Sequence, residues 1–222
     1  MEPEFWQERW RSDEIGFHLP VAHPLLKKYL PSLELEVGAP IFLPLCGKTL
    51  DIEYLLSAEY SVIGVELSEK AVHELFSSLN IQPVISSWRG GNVFRADRIT
   101  IFQGNFFQLE AADIGAIHAV YDRAALVALP AKLRRRYAEH LLHISYAAQQ
   151  LLISFEYSQV QMDGPPFSVL TAEVAQLYAD FFELREMHRA DILDKTPRFR
   201  ERGLTHCDEV AWHLVPSSGR PD

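Results

Sequence analysis

The sequence predicts an α/β fold built on a mostly parallel, doubly wound sheet with helices covering both faces. Short apolar runs alternate with segments of helical period, the pattern of repeated strand–helix–strand units. Runs such as Ile41-Phe42-Leu43 are apolar at consecutive positions, which suits strands buried on both faces. Polar residues able to carry chemistry fall just after such runs, where ligands bind in open α/β sheets.

Residues 4–10 read as a short helix with Phe5, Trp6 and Trp10 as its apolar stripe, and residues 16–20 as a loop. Residues 23–30 read as a second helix with Pro31 just beyond its end. A strand at 41–43, a helix at 51–56 and a strand at 61–66 follow. Ser68 is a natural N-cap for a helix carrying Ala71, Val72, Leu75 and Phe76 at helical spacing. Arg89-Gly90-Gly91-Asn92 reads as a tight turn between two extended segments. Further strands are expected at 99–102, 117–121, 151–155, 182–187 and 210–215. Helices are expected at 130–145, with Pro130 near the first position, and at 172–181.

The chain has 222 residues, 48% hydrophobic and 23% charged, an ordinary globular composition for one α/β domain with an extension. Its net charge of −9 argues against a nucleic-acid partner. Arg134-Arg135-Arg136 reads as a solvated helix face. No apolar run approaches the roughly 20 residues that cross a bilayer, so no membrane partner is expected. The acidic start lacks the basic flank and apolar core of a signal peptide. Two cysteines, Cys46 and Cys207, in unrelated contexts fit a reducing cytoplasm and no metal site. With no long heptad pattern, a monomer is expected.

Pro44-Leu45-Cys46-Gly47-Lys48 follows the first strand directly, and Glu66 ends the second, 21 positions after Leu45. A carboxylate about 20 residues past such a turn can accept hydrogen bonds from ribose hydroxyls. As an exposed acceptor it would also discourage a 2′-phosphate. The turn lacks the remaining glycines of a dinucleotide fingerprint, so a pyrophosphate cradle is poorly provided for. Gly47-Lys48-Thr49 does not complete a P-loop, because Phe42 stands where its first glycine belongs. A nucleoside without phosphates, such as S-adenosylmethionine, suits this turn; an ordinary strand–turn–helix with a merely solvated Glu66 is the alternative.

Tyr121-Asp122-Arg123 follows another apolar strand, which puts both charges at the ligand-facing edge of the sheet. Arg123 carries five fixed donors; a structural ion pair of Asp122 with Arg123 fits the spacing equally well. His18 is expected to bond backbone rather than act as a base. His140 and His143 lack a third ligand at metal spacing. Cys46 has no partner histidine and is not expected to be a nucleophile. Gly164-Pro165-Pro166-Phe167 reads as a stiff loop, either lining a substrate mouth or connecting elements.

Taken in order, Trp6-Gln7-Glu8-Arg9-Trp10, Gly16-Phe17-His18, Phe42 to Lys48, Val62 to Ser68, Asp122 to Ala128 and Gly164 to Phe167 resemble the thiopurine S-methyltransferase family, in a bacterial-type member. The likeness runs from about Phe5 to Leu214. It implies a Rossmann-like class I methyltransferase with a seven-stranded sheet. It also implies S-adenosylmethionine as cofactor, S-adenosylhomocysteine as product, and a small-molecule thiol as acceptor. The whole chain then reads as a single domain: 1–35 a helical lid or extension, 36–216 the core, 217–222 a tail. By matching motifs, Trp10, Leu45, Glu66, Asn105, Phe106 and Arg123 are the implied cofactor contacts. Phe17 and Arg198 are implied on the substrate side, with Arg200 and Arg202 as close competitors.

An acidic heterocyclic thiol is largely ionised near neutral pH, so no strong general base is required. Arg123 or Arg198 is expected to stabilise the thiolate or a ring nitrogen. Asp122 is either a water-mediated proton acceptor or a residue that orients Arg123 and the pocket backbone. Bacterial members of the family are also associated with methylation of selenium and tellurium compounds. Competing functions are a halide, thiocyanate or chalcogen methyltransferase, a nicotinamide-dependent oxidoreductase, and a binding module that no longer catalyses.

Overall fold

The computed structural model of the chain describes residues 3–217. The first two residues of the acidic start, and residues 218–222 of the expected tail, lie outside the described residues. The chain divides into two compact units, Met1–Tyr121 and Asp122–Asp222.

The first unit opens with helix α1 (Pro3–Arg11) and helix α2 (Pro24–Tyr29). His23 begins α2, its Nδ1 accepting from the Leu25 N–H at 3.2 Å, and Pro24 sits where an N–H has no helical partner. Pro31 does not stop the chain there. Residues Leu30–Leu33 tighten into a 3-10 turn that buries Leu30 and Leu33. Strand β1 (Pro40–Leu43), helix α3 (Asp51–Ser57) and strand β2 (Ser61–Glu66) follow. Helix α4 (Glu69–Ser78) is capped as the sequence predicts, the Ser68 Oγ accepting from the Ala71 N–H at 3.2 Å. Its Ala71, Val72, Leu75 and Phe76 are buried.

The two extended segments around Arg89-Gly90 are strands β3 (Val84–Trp88) and β4 (Gly91–Ala96) of an antiparallel hairpin. The hairpin adds to the sheet because β4 pairs antiparallel with strand β5 (Ile99–Gln103), from Asn92↔Gln103 to Ala96↔Ile99. A Cβ on Gly91 would overlap the Gln103 carbonyl, so only glycine permits that approach. Phe94 stacks on Phe76 of α4, their ring centroids 5.8 Å apart. After β5 comes the short helix α5 (Ala111–Ile114) and then strand β6 (Ala119–Arg123). β1 pairs in parallel with β2 on one side and with β6 on the other, and β2 pairs in parallel with β5. Strand order therefore reverses at β1, where α/β sheets leave a crevice beyond their carboxyl ends.

The second unit contains helix α6 (Ala131–Ile144), strand β7 (Gln149–Glu156), helix α7 (Thr171–Tyr178), strand β8 (Phe182–Asp191), helix α8 (Pro197–Glu201) and strand β9 (Asp208–Pro216). β9 pairs antiparallel with both β7 and β8. The sequence reading ends β8 at residue 187, but charged pairing carries it further. Arg189 binds Glu156 at 2.6 Å, Glu186 at 2.8 Å and Asp208 at 3.2 Å.

The strands form one sheet in the order β3-β4-β5-β2-β1-β6-β7-β9-β8. The expected seven-stranded, mostly parallel sheet is therefore corrected to nine strands of mixed direction. The β3–β4 hairpin and the antiparallel β9 account for the difference. Among the described residues no helix is long and apolar enough to cross a membrane.

Two other expectations change. Arg134 is not on a solvated face. It is buried, its guanidinium holding Glu173 of α7 at 2.7 and 2.8 Å and the Leu129 carbonyl at 3.2 Å. The strand read at 117–121 lies two residues later, so Asp122 and Arg123 end it rather than follow it. Asp122 can be buried because its Oδ1 accepts the Leu126 N–H at 3.1 Å and its Oδ2 accepts the Tyr137 hydroxyl at 2.7 Å.

Burial outweighs those donors and raises the Asp122 carboxyl from 3.8 to about 6. The folded state thus holds this proton more tightly than the unfolded chain, and stability falls as pH rises from about 4 through about 6. Denaturant titrations of the wild type and Asp122→Asn at several pH values should show the gap moving toward the variant by up to about 3 kcal/mol across that window. A gap independent of pH would contradict the assignment.

Candidate functional site

The turn after β1 is held by an acid at the end of β2. Leu45 and Gly47 adopt φ of 48° and 55°, a left-handed conformation that is easy for glycine and costly for leucine. The Cys46 N–H donates to the Val65 carbonyl at 3.0 Å, which keeps the turn against β2. The Glu66 Oε2 accepts the Gly47 N–H at 2.8 Å and its Oε1 accepts the Ser68 N–H at 2.7 Å. One side chain therefore clamps the turn after β1 to the turn after β2. Burial raises the Glu66 carboxyl, and the amides of Ser68, Gly47 and Leu67 pull it back.

The expectation of an exposed carboxylate is corrected, since Glu66 is only 6% exposed. Its backbone bonds make that burial tolerable. An ionised carboxylate offers about four lone-pair positions, so two bonds leave acceptor capacity for a diol. The Gly47 amide, which a pyrophosphate would need, is already committed to Glu66. The turn thus suits a nucleoside without phosphates better than a dinucleotide.

The end of β5 joins the same edge. The Gly104 N–H donates to the Glu66 carbonyl at 2.8 Å. Asn105, exposed, then caps a 3-10 turn, its Oδ1 accepting the Phe107 N–H at 3.0 Å, and Phe106 is buried. α1 supplies the aromatic side of the site. Trp10 is buried, and a Cβ on Gly47 would lie 3.1 Å from its Cζ2 atom. Phe17 meets Trp10 and Trp6 edge to face, with centroids 5.5 and 5.7 Å apart. Within the first unit, Trp10, Phe17, Leu45, Glu66, Asn105 and Phe106 thus belong to one set of turns and their covering helix.

The sequence pattern marks Asp51 only as a helix start. It is buried and accepts the His23 N–H at 2.6 Å, the Thr49 hydroxyl at 3.0 Å and the Tyr121 hydroxyl at 3.1 Å. It thereby fixes the far end of the β1 turn against α2 and β6. The Thr49-Leu50-Asp51 spacing was the one signal available, since the other two donors are distant in sequence.

The second unit holds Asp122, Arg123 and Arg198. Asp122 is fully buried, and the Tyr178 hydroxyl beside it has no hydrogen-bond partner among the described residues. Arg198 is half-buried on α8, which the buried Phe199 anchors in a core of Tyr157, Met162, Leu193, Leu204 and Cys207. Its guanidinium lies 5.3 Å from the Phe199 ring centre. Burial lowers the Arg198 pKa, and the charges of Arg123 and Arg202 lower it further. Arg200 is paired with Asp194, and Arg202 donates to the Pro165 and Gly164 carbonyls at 2.9 and 3.3 Å. Among the described residues, Arg123 and Arg198 have no anionic partner.

Burial and the Glu66 charge push the Cys46 thiol well up, and burial pushes Cys207 up to about 12, so neither is an activated nucleophile. Among the described residues, no group of three or more His, Cys, Asp or Glu could hold a metal ion.

The fold is similar to solved methyltransferases. A SAM-dependent methyltransferase from Anabaena variabilis aligns with TM-score 0.62 at 11% identity, covering 97% of this chain and 95% of that one. The SAH-bound magnesium protoporphyrin IX methyltransferase of Synechocystis aligns with TM-score 0.60 at 13% identity, covering 96% and 99%. Much closer in sequence is a thiopurine S-methyltransferase of Bordetella petrii, 45% identical over 215 residues, covering 96% of this chain and 98% of that protein. Another from Pseudomonas fluorescens strain Pf0-1 is 41% identical over 214 residues, covering 96% and 99%. The profile of the family described as thiopurine S-methyltransferase matches residues 1–216. By that match and those identities, the chain belongs to the thiopurine S-methyltransferase family.

Proposed function

We propose that the protein methylates the sulfur of aromatic and heterocyclic thiols such as thiopurines, using S-adenosylmethionine and releasing S-adenosylhomocysteine. The carrying observation is the buried Glu66 carboxylate at the end of β2, which takes the Gly47 amide that a pyrophosphate would use and keeps acceptor capacity for a ribose diol. Family membership supplies the reaction class. The same observation disfavours a nicotinamide-dependent oxidoreductase.

Bound there, S-adenosylmethionine would supply an electrophilic sulfonium methyl; a thiolate taking that methyl would leave the old carbon–sulfur electron pair on the departing sulfur, so that both charges would cancel. Glu66 accepts the ribose hydroxyls. Leu45, Asn105 and Phe106 contact the cofactor, and Trp10 covers it with α1 as a lid. Phe17 walls the acceptor pocket. Such positioning brings the reacting atoms to about 3–3.5 Å and excludes water. Charge cancellation makes a dry site favourable, since a separated ion pair is worse solvated there than its neutral products.

By motif match Arg123 is assigned to the cofactor, and Arg198 to steadying the thiolate or a ring nitrogen. Among the described residues Arg200 is paired with Asp194 and Arg202 with the Pro165 carbonyl, whereas Arg198 has no such acceptor. Asp122 orients the residues after β6 through the Leu126 N–H and the Tyr137 hydroxyl rather than relaying a proton through water, because its carboxylate is fully buried. The substrate ionises without it. We also read the protein as a cytoplasmic monomer acting on small molecules, in keeping with its acidic net charge and two cysteines that form no disulfide.

Labelled methyl transfer from S-adenosylmethionine to a thiopurine, thiophenol, selenite, tellurite and iodide tests the reading. Label on the two thiols is expected, and the remaining arms define the range of acceptors. Bound cofactor with no label on any acceptor would overturn it. In the same assay Arg198→Ala should lower kcat/KM for the thiopurine by about 10- to 100-fold. Arg200→Ala should stay near wild type. Equal effects of the two variants would remove the Arg198 assignment.

A further inference from the structure

The N-terminal helix rests on the cofactor turn through Trp10, but rings alone do not fix the helix end. α1 closes at Arg11, and its last carbonyls have no partner within the helix. One of them, the Trp10 carbonyl, accepts a hydrogen bond from the Lys70 Nζ at 2.9 Å. The same ammonium holds the Asp13 carboxylate at 2.8 Å, and Asp13 has a φ of 55° where the chain turns away. Lys70 lies in the first turn of α4, directly after the Ser68 cap that Glu66 engages. A positive charge at a helix C-terminus is also favoured by the helix dipole.

The contact continues into the cofactor turn. Glu74, one turn along α4, stands 3.8 Å from Lys70 and binds Lys48 at 2.6 Å. The Lys48 ammonium lies 5.8 Å from the Trp10 ring centre. Trp10 is therefore gripped at its carbonyl by Lys70 and flanked at its ring by Lys48, with Glu74 joining the two lysines. Lys70 is partly exposed and Asp13 exposed, their side chains at 37% and 70%. Water competes for such a contact, so it holds the helix end without locking it.

We propose that Lys70 is a positioning residue for cofactor binding: its ammonium latches the end of α1 so that Trp10 stays on the Gly47 turn. This rests on the reading that the turn holds S-adenosylmethionine, and Lys70 touches neither cofactor nor acceptor.

Lys70→Met keeps the aliphatic stem and removes the ammonium, whereas Lys70→Arg restores donors for both acceptors. Lys70→Met should weaken S-adenosylhomocysteine binding by on the order of 10-fold. KM for the cofactor should rise in parallel, with kcat at saturation changed less than about twofold. Chymotryptic cleavage between Phe5 and Phe17 should become several times faster, and Lys70→Arg should lie close to wild type in every measurement. Unchanged cleavage and affinity in Lys70→Met, or an equal loss in Lys70→Arg, would overturn the latch. Wild type that fails to bind S-adenosylhomocysteine would sink the underlying cofactor reading instead, while the cleavage comparison still decides the latch.

Discussion

The Glu66 carboxylate is the constraint on which the first unit depends. Its two oxygens bind two amides from different turns, Gly47 after β1 and Ser68 after β2. The rest of that edge is arranged around it. The Gly104 amide binds the Glu66 carbonyl, the Ser68 side chain caps α4, and the Gly47 Cα surface is open for Trp10. A buried carboxylate is costly unless each oxygen is satisfied. Here that requirement and the ligand requirement coincide. The acid is held by backbone and keeps acceptor capacity for a diol, while it takes the Gly47 amide that a phosphate would use.

Charge is handled differently in the second unit. Asp122 is buried and shielded by donors, whereas among the described residues Arg123 and Arg198 have no anion to balance them. A half-buried guanidinium is weakly hydrated and presents several donors in one plane, so it suits an anion supplied from outside. Arg200 and Arg202 show the contrast. One is neutralised by Asp194, and the other spends its donors on the Gly164-Pro165 carbonyls. The thiolate acceptor of the family's reaction is an anion of the required kind.

Much of this could be read from residues alone where local rules dominate. The Ser68 cap, the span of β2, and the Arg89-Gly90 turn follow from side-chain chemistry within a few positions. What escaped the sequence depended on partners far along the chain. The burial of Glu66 needs Gly47, that of Asp122 needs Tyr137, and that of Arg134 needs Glu173. A charged residue reads as a surface residue until its distant partner is known, which is also why the apolar pattern stops at Tyr121 while β6 runs on to Arg123. Strand direction was illegible for the same reason. Apolar runs announce burial, but nothing local says that β9 pairs antiparallel between β7 and β8 or that the hairpin extends the sheet at β5. The Arg198 assignment rested on motif spacing, and its neighbours' bonds are what separate it from Arg200 and Arg202.

The claim that one buried carboxylate both builds the turn and receives the nucleoside is tested most directly by calorimetric titration of wild type and Glu66→Gln with S-adenosylhomocysteine. Glutamine keeps the length but turns an amide NH₂ toward one of the two backbone donors, so the clamp loses an acceptor and the site its charge. The account predicts a folded variant that binds at least about 30-fold more weakly, roughly 2 kcal/mol, consistent with a lost hydrogen bond to a charged group. Equal affinity of the two proteins would contradict it.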